Sequence, residues 1–437
     1  MKNLLLCVSV LAALSASAAY QEYHCAKTSG SYDWTDPATW VENAVPDSPD
    51  AYVVITGHYD GGSVNLSCGG SLGSATAAFI YVQNANAVAP GNWPTIITDG
   101  TLIFTNNNDM SAWVVDTSTG LASSPLQFNT SLTVPVDQTI SFVVSNKPVL
   151  CRSAFTGSGT VRAWHGQLTC SQAGTDNTSP DFAGTIEVCD GAILYFNGED
   201  CFTNPLTTIV VKDGGELLIR GAQSGPTPAC RVNCPLIIED GGTLNTQAGA
   251  HGAPSNIVAS TYTVIGENIH TTSTKQKDLE FWGDVQGTGT IRKTGGTPLT
   301  TNRFLGSISP GFSAGTLTMN EQSGWIELGL PSNRLTLNIE NEDLLEMINM
   351  DLPVDLANMD LVILTPMTAT NWFLTADGGI ANTFNSVALT NGLVGNVIYD
   401  YGNNRVGAQV VPEPAALAAL ALAIAAVVRV RGSGLRE

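Results

Sequence analysis

Positive charge is scarce in this chain. Of 437 residues only 18 are Lys or Arg, against 38 Asp or Glu, which gives a formal net charge of −20. Nucleic acid is thereby excluded as a partner, because little is available to neutralise phosphates. Histidine is equally thin. His24, His58, His165, His251 and His270 are scattered without metal-ligand spacing and read as surface or strand residues. There is no G-x-S-x-G, no H-E-x-x-H, no phosphate-cradling glycine loop and no D-x-D-x-D-G calcium loop. No cysteine follows Cys234, so the last third of the chain must cohere without cross-links. No catalytic residue, metal or cofactor is expected from this inventory.

What is present is turn-rich. The chain holds 44 glycines and only 13% charged residues, with Ser, Thr, Asn and Val prominent, which favours strands and turns over helices. The middle repeats itself. IEVCDGAILYF (186–196), IVVKDGGELLI (209–219) and LIIEDGGTLNT (236–246) each run a β-branched strand into Asp-Gly and out into a second strand. The aspartates Asp190, Asp213 and Asp240 recur at a nearly constant period, the mark of a solenoid. A hairpin is the competing reading of strand–Asp-Gly–strand. The period favours a parallel β-helix, with the three aspartates stacked at one corner and each bonded to its own turn. Strand texture continues through 100–109, 131–144 and 287–299. In LTLNI (335–339), Leu335, Leu337 and Ile339 share a face. NEDLLEMINM (341–350) is the one stretch of the mature chain that reads as a short helix. TNNND (105–109) reads as an asparagine ladder.

Both ends carry export features. MKNLLLCVSVLAALSASAA has a Lys at position 2, an apolar stretch from Leu4 to Leu14 and an A-x-A site, the build of a signal peptide cleaved after Ala18 or Ala19. The far end, VVPEPAALAALALAIAAVVRVRGSGLRE (410–437), runs from Pro412-Glu413-Pro414 through the apolar residues Ala415–Val428 to Arg429 and Arg431. Fourteen helical residues span about 21 Å, short of a hydrocarbon core of roughly 30 Å, and the arginines obey the positive-inside rule. A transient membrane anchor is expected. Beyond the leader stand eight cysteines, Cys25, Cys68, Cys151, Cys170, Cys189, Cys201, Cys230 and Cys234, an even number in an exported chain and so candidate disulfides. Eight cysteines allow 105 connectivities and the sequence does not choose among them; nearest-neighbour pairing, the simplest, joins 151 to 170, 189 to 201 and 230 to 234.

Two resemblances follow from these residues. In 155–188, Gly157, Gly159, Thr160, Leu168, Asn177, Gly184, Thr185 and Val188 hold the places of the autotransporter-associated β-strand repeat. GTGTIRKTGG (287–296) and GSISPGFSAGTLTM (306–319) resemble a later repeat and its closing turn, and YDWTDPATWVENAVPDSPDAYVVI (32–55) resembles the segment that opens such arrays. The likeness is to the passenger, since 320–410 is too short for a membrane barrel. It implies an all-β, right-handed parallel β-helix. The tail resembles the PEP-CTERM sorting signal, which implies exosortase-type machinery and display at the outer surface or in the extracellular matrix of a Gram-negative-type bacterium.

The expected organisation is a leader (1–19), a β-helix (20–320), a strand-rich region (321–410) and a sorting tail (411–437). The expected function is a non-catalytic, adhesin-like structural protein whose partners are the sorting machinery and extracellular polysaccharide or neighbouring cells. A polysaccharide lyase or glycoside hydrolase on the same scaffold, or a glycan-binding module, is the alternative. Its tryptophans could stack on sugars, although Trp34 and Trp40 read as an end cap, and Trp282 and Trp372 as core.

Overall fold

A computed structural model describes residues 20–412, apart from interior stretches of which the longest are 85–93, 171–178 and 221–229. The described chain is all-β, a solenoid of about 11 turns with only three short 3-10 turns as helix. Its construction is clearest along one inward-facing column. Ala112, Ile140, Val161, Ile186, Ile209, Leu236, Tyr262, Val285, Ile308, Leu337 and Leu361 are successive register partners in parallel pairs, and every one is buried. Alternation of period two places each of these apolar side chains inside and its neighbours outside. No coil buries its own apolar face. Each does so only against the coils above and below, as in other solenoids.

The corner between two faces is built by the repeated Asp-Gly. Gly191, Gly214 and Gly241, and on the preceding coil Gly166 after His165, all have positive φ, between 70° and 78°. Their amides are bonded coil to coil, Gly166 to the Gly191 carbonyl, Gly191 to Gly214 and Gly241 to Glu267. A β-carbon on Gly214 would strike the Asp190 carboxylate, and one on Gly241 would strike that of Asp213. The aspartates do stack, but they reach forward. Asp240 Oδ1 accepts the Glu267 N–H of the following coil at 2.6 Å rather than closing its own turn.

Trp34 and Trp40 are fully buried in the first turn, edge to face at 5.0 Å. Their indole N–H groups donate to the carbonyls of Pro46 and Trp34. They shield the apolar interior at that end from water. At the other end parallel pairing continues past residue 320 as far as Leu389. There Leu393–Asp400 and Arg405–Pro412 form an antiparallel ribbon against Met367–Ala376.

Three expectations need correction. Residues 344–348 form a strand, not a helix, with Leu345 and Met347 stacked on Leu317 and Met319. Helix propensity in NEDLLEMINM yields to the pairing edge already offered by the coil below. Trp282 and Trp372 are not core. Trp282 follows inward-facing Phe281 and is 44% exposed, and Trp372 precedes buried Phe373 and lies under the Arg405 guanidinium at 3.9 Å. Of the stretch read as an asparagine ladder, 108–109 lie outside the described residues and Asn106 is used otherwise. It is buried, and donates to the Tyr20 hydroxyl and the Ser111 carbonyl.

Candidate functional site

The residues singled out in the sequence do not converge on one place. Ala18, Ala19, Glu413, Pro414, Arg429 and Arg431 lie outside the described residues, and Pro412 ends the last strand. The cysteines are spread along the coil. Cys151 and Cys170 are register partners on neighbouring turns and both face inward. Cys230 and Cys234 are buried on one turn, Cys68 is buried near the start, and Cys189 is half-buried. The Cys25 backbone pairs with that of Trp40 in an isolated antiparallel β-bridge, and Cys201 lies in the two-residue strand Asp200–Cys201. Burial pushes the Cys68, Cys170 and Cys234 thiols up to about 12, and that of Cys151 well above its ordinary value.

Among the histidines, His24 sits between Glu22 and Glu42, and His165 is half-buried. His58 and His251 lie outside the described residues. His270 is fully inside, bonded to the Tyr262 hydroxyl at 2.7 Å and to the Asn302 side chain at 3.1 Å. Burial and then the neighbouring Lys293 charge hold His270 down at about 3. Among the described residues no group of three His, Cys, Asp or Glu is placed to hold a metal, and no helix is long and apolar enough to cross a membrane.

A concave site does exist, in a part of the chain where sequence reading found none. The strands Leu279–Phe281, Thr301–Phe304 and Trp325–Leu328 lie side by side on the third face of the coil. Alternation turns Phe281, Phe304 and Leu328 inward and Glu280, Arg303 and Glu327 outward in one row. Beside the last two strands runs the chain at 350–358, whose strand Val354–Asp355 pairs in parallel with Ile380–Ala381, and between them lies a cleft of about 340 Å³. Arg303, Trp325, Glu327, Leu352, Asp355 and Asn358 line it.

Each wall is fixed by polar contacts. Arg303 donates to Glu327 at 2.8 Å and to Asp278 at 2.5 Å. Burial works against its charge, but Glu327 and Asp278 outweigh that and hold the guanidinium above its usual range. On the opposite wall the Asp377 carboxylate accepts the Asn349 and Met350 amides. Asp355 Oδ1 accepts the Ala357 amide and the Asn382 side chain, at 3.0 and 2.8 Å.

One buried carboxylate joins the two walls. Glu321, 5% exposed, accepts the Ile326 amide at 2.6 Å through one oxygen and the Asp351 amide at 3.3 Å through the other. Burial raises its pKa against the lowering effect of those two bonds. Behind it Lys293, fully buried, donates to Thr300 at 3.1 Å. Burial lowers the Lys293 ammonium to about 8 against the opposing charges of Glu321 and Asp278.

The cleft could have been found from LEF (279–281), NRF (302–304) and IEL (326–328), a second repeat that places Glu, Arg and Glu at the middle position. Its far wall has no such signal, because 350–358 (MDLPVDLAN) lacks the Glu and Arg of those strands. Comparison with known families, with curated proteins and with solved structures gave no match, so the passenger-like and sorting-signal resemblances stand on their sequence motifs alone.

Proposed function

We propose that this chain is an exported, non-catalytic scaffold of adhesin-like kind: a right-handed β-solenoid displayed in the cell envelope or extracellular polymer matrix of a Gram-negative-type bacterium. The right hand is the one that strand twist favours for parallel crossovers. In this reading residues 1–19 direct export, and the Pro412–Glu413–Pro414, apolar and arginine tail engages an exosortase-type system after transient membrane anchoring. The carrying observation is the unbroken inward column from Ala112 to Leu361, in which the repeated sequence is used for stacking. The Asp-Gly corners serve the same end, with glycine at positive φ and aspartate against the next coil.

The test is deletion of residues 413–437, which leaves the last strand, Arg405–Pro412, whole, with localisation and folding read together. The truncated protein is expected in the medium, with the thermal transition of the full chain. Retention in the envelope, or aggregation, would overturn the sorting role. A carbohydrate-active enzyme is the second reading, favoured by Glu327 and Asp355 lining one cleft. Polysaccharide turnover that disappears in Glu327→Gln would establish it.

A further inference from the structure

We propose that the cleft between Trp325 and the 350–358 segment is a binding site for an uncharged saccharide. The inference deepens the adhesin-like reading and rests on it only for where such polymers are met. Three features carry it.

The first is the pairing of an exposed aromatic with polar groups in one concavity. Trp325 is 38% exposed where most large side chains of the coil are buried, and it lines the cleft with Arg303, Glu327 and Asp355. A sugar ring has an apolar C–H face and a rim of hydroxyls. An indole offers the flat apolar surface, while carboxylates accept from hydroxyls and the guanidinium donates to them. Glu327 commits Oε2 to Arg303 and Asp355 commits Oδ1 to Ala357 and Asn382, and their other oxygens have no bond among the described residues. A volume of about 340 Å³ is at the small end of ligand sites, with room for one or two rings.

The second is charge. Arg303 is already matched by Glu327 and Asp278, with Glu280 at 3.8 Å, so the surroundings of the cleft are net negative, as is the chain at −20. A uronate or sulfated sugar would meet carboxylates without a spare cation. The chemistry selects against anionic polymers.

The third is that the site is held in place before any ligand arrives. Glu321 ties the Trp325 strand and the 350–358 segment to one buried carboxylate, and Asp377 clamps the start of that segment. Preorganisation of this kind lowers the ordering cost of binding. Glu321 is a positioning residue.

The experiment uses the full mature chain. Methyl glucoside, methyl galactoside, methyl mannoside, maltose, cellobiose and lactose are titrated by calorimetry and by saturation-transfer NMR, with galacturonate as the anionic comparison. At least one neutral sugar should bind with a Kd in the millimolar range or below, and galacturonate should bind more weakly than methyl galactoside. Trp325→Ala should weaken the neutral sugar at least tenfold, Trp325→Phe should recover part of the loss, and Trp282→Ala should change nothing. Glu327→Gln removes a negative charge and loosens Arg303, so it should improve galacturonate binding. No neutral sugar bound at millimolar concentration, or binding indifferent to both Trp325 variants, would overturn the proposal, as would a cleft filled by peptide instead. If Trp325→Ala does not fold, Trp325→Phe and Glu327→Gln decide the matter. None of these outcomes alters where the tail-deleted chain is found, so the site and the sorting role fail separately.

Discussion

A second inward column changes character partway along the coil. In its first part Leu168, Leu194, Leu217 and Leu244 are stacked register partners, all buried. In the continuation the same positions are His270, Lys293 and Glu321, equally buried. Outside the leucine part lie the regular Asp-Gly corners. Outside the polar part lies the cleft, whose walls are held by Glu321. Where the repeat is kept, its residues are explained by stacking. Where it is broken at a cost in desolvation, the break supports a feature that stacking does not need.

The sharpest way to break the comparison is to make the first part resemble the second. Leu217→Lys inserts an ammonium among leucines with no carboxylate in the column beside it. A buried unpaired charge should cost on the order of 4 kcal/mol or more, a large part of the stability of a typical domain. Circular dichroism and a urea melt should show a chain that is unfolded or nearly so. A cooperative melt close to wild type would mean that the column is not tightly packed there.

A smaller effect is expected from the reverse change. Glu321→Leu leaves the Ile326 and Asp351 amides without their acceptor, worth about 2–3 kcal/mol. Hydrogen exchange should accelerate at those two amides while the amides of the Asp-Gly corners stay protected. Equal acceleration everywhere would show that Glu321 supports the whole coil and not the cleft.

Lys293 gives a pH test. Its folded pKa, about 8, lies below its ordinary value of 10.5, so burial penalises the charged form. Below pH 8 that penalty is fully present. Between pH 8 and 10.5 the unfolded chain binds a proton that the folded chain does not, so this contribution to stability rises with pH. Buried thiols such as Cys68 and Cys234, raised to about 12, act in the opposite direction in this range. The measurable quantity is therefore wild type minus Lys293→Met, which should climb on the order of 2 kcal/mol across the window. A flat difference would show that Lys293 reaches water when folded.

Much of the regular part was legible in the sequence. The Asp-Gly period exposed the solenoid, because a corner that must repeat at each coil requires the same residues each time. LTLNI showed its inward face by plain alternation. Residues 344–348 misled because Leu, Glu and Met are good helix formers locally, and only the neighbouring coil turns them into a strand. Trp282 misled because a large apolar residue in a strand-rich stretch looks like core until the register of Phe281 is known. The cleft was out of reach for another reason. Arg303 and Asp355 are 52 positions apart in the chain, and their meeting depends on how successive coils stack beside one another.

The central proposal is that the repeated Asp-Gly corners serve the stacking of the coil and not a reaction. Its most direct test compares Asp213→Asn and Gly214→Val by thermal melt, with turnover measured on acidic and neutral polysaccharides. Asn keeps the turn and an acceptor, so Asp213→Asn should change stability by no more than about 0.5 kcal/mol. Gly214 has φ of 70° and faces the Asp190 carboxylate, so Gly214→Val should cost about 3 kcal/mol. The account predicts that ordering, with no turnover in the wild type or in either variant. Turnover by the wild type that vanishes in Asp213→Asn, with its melt unchanged, would contradict it.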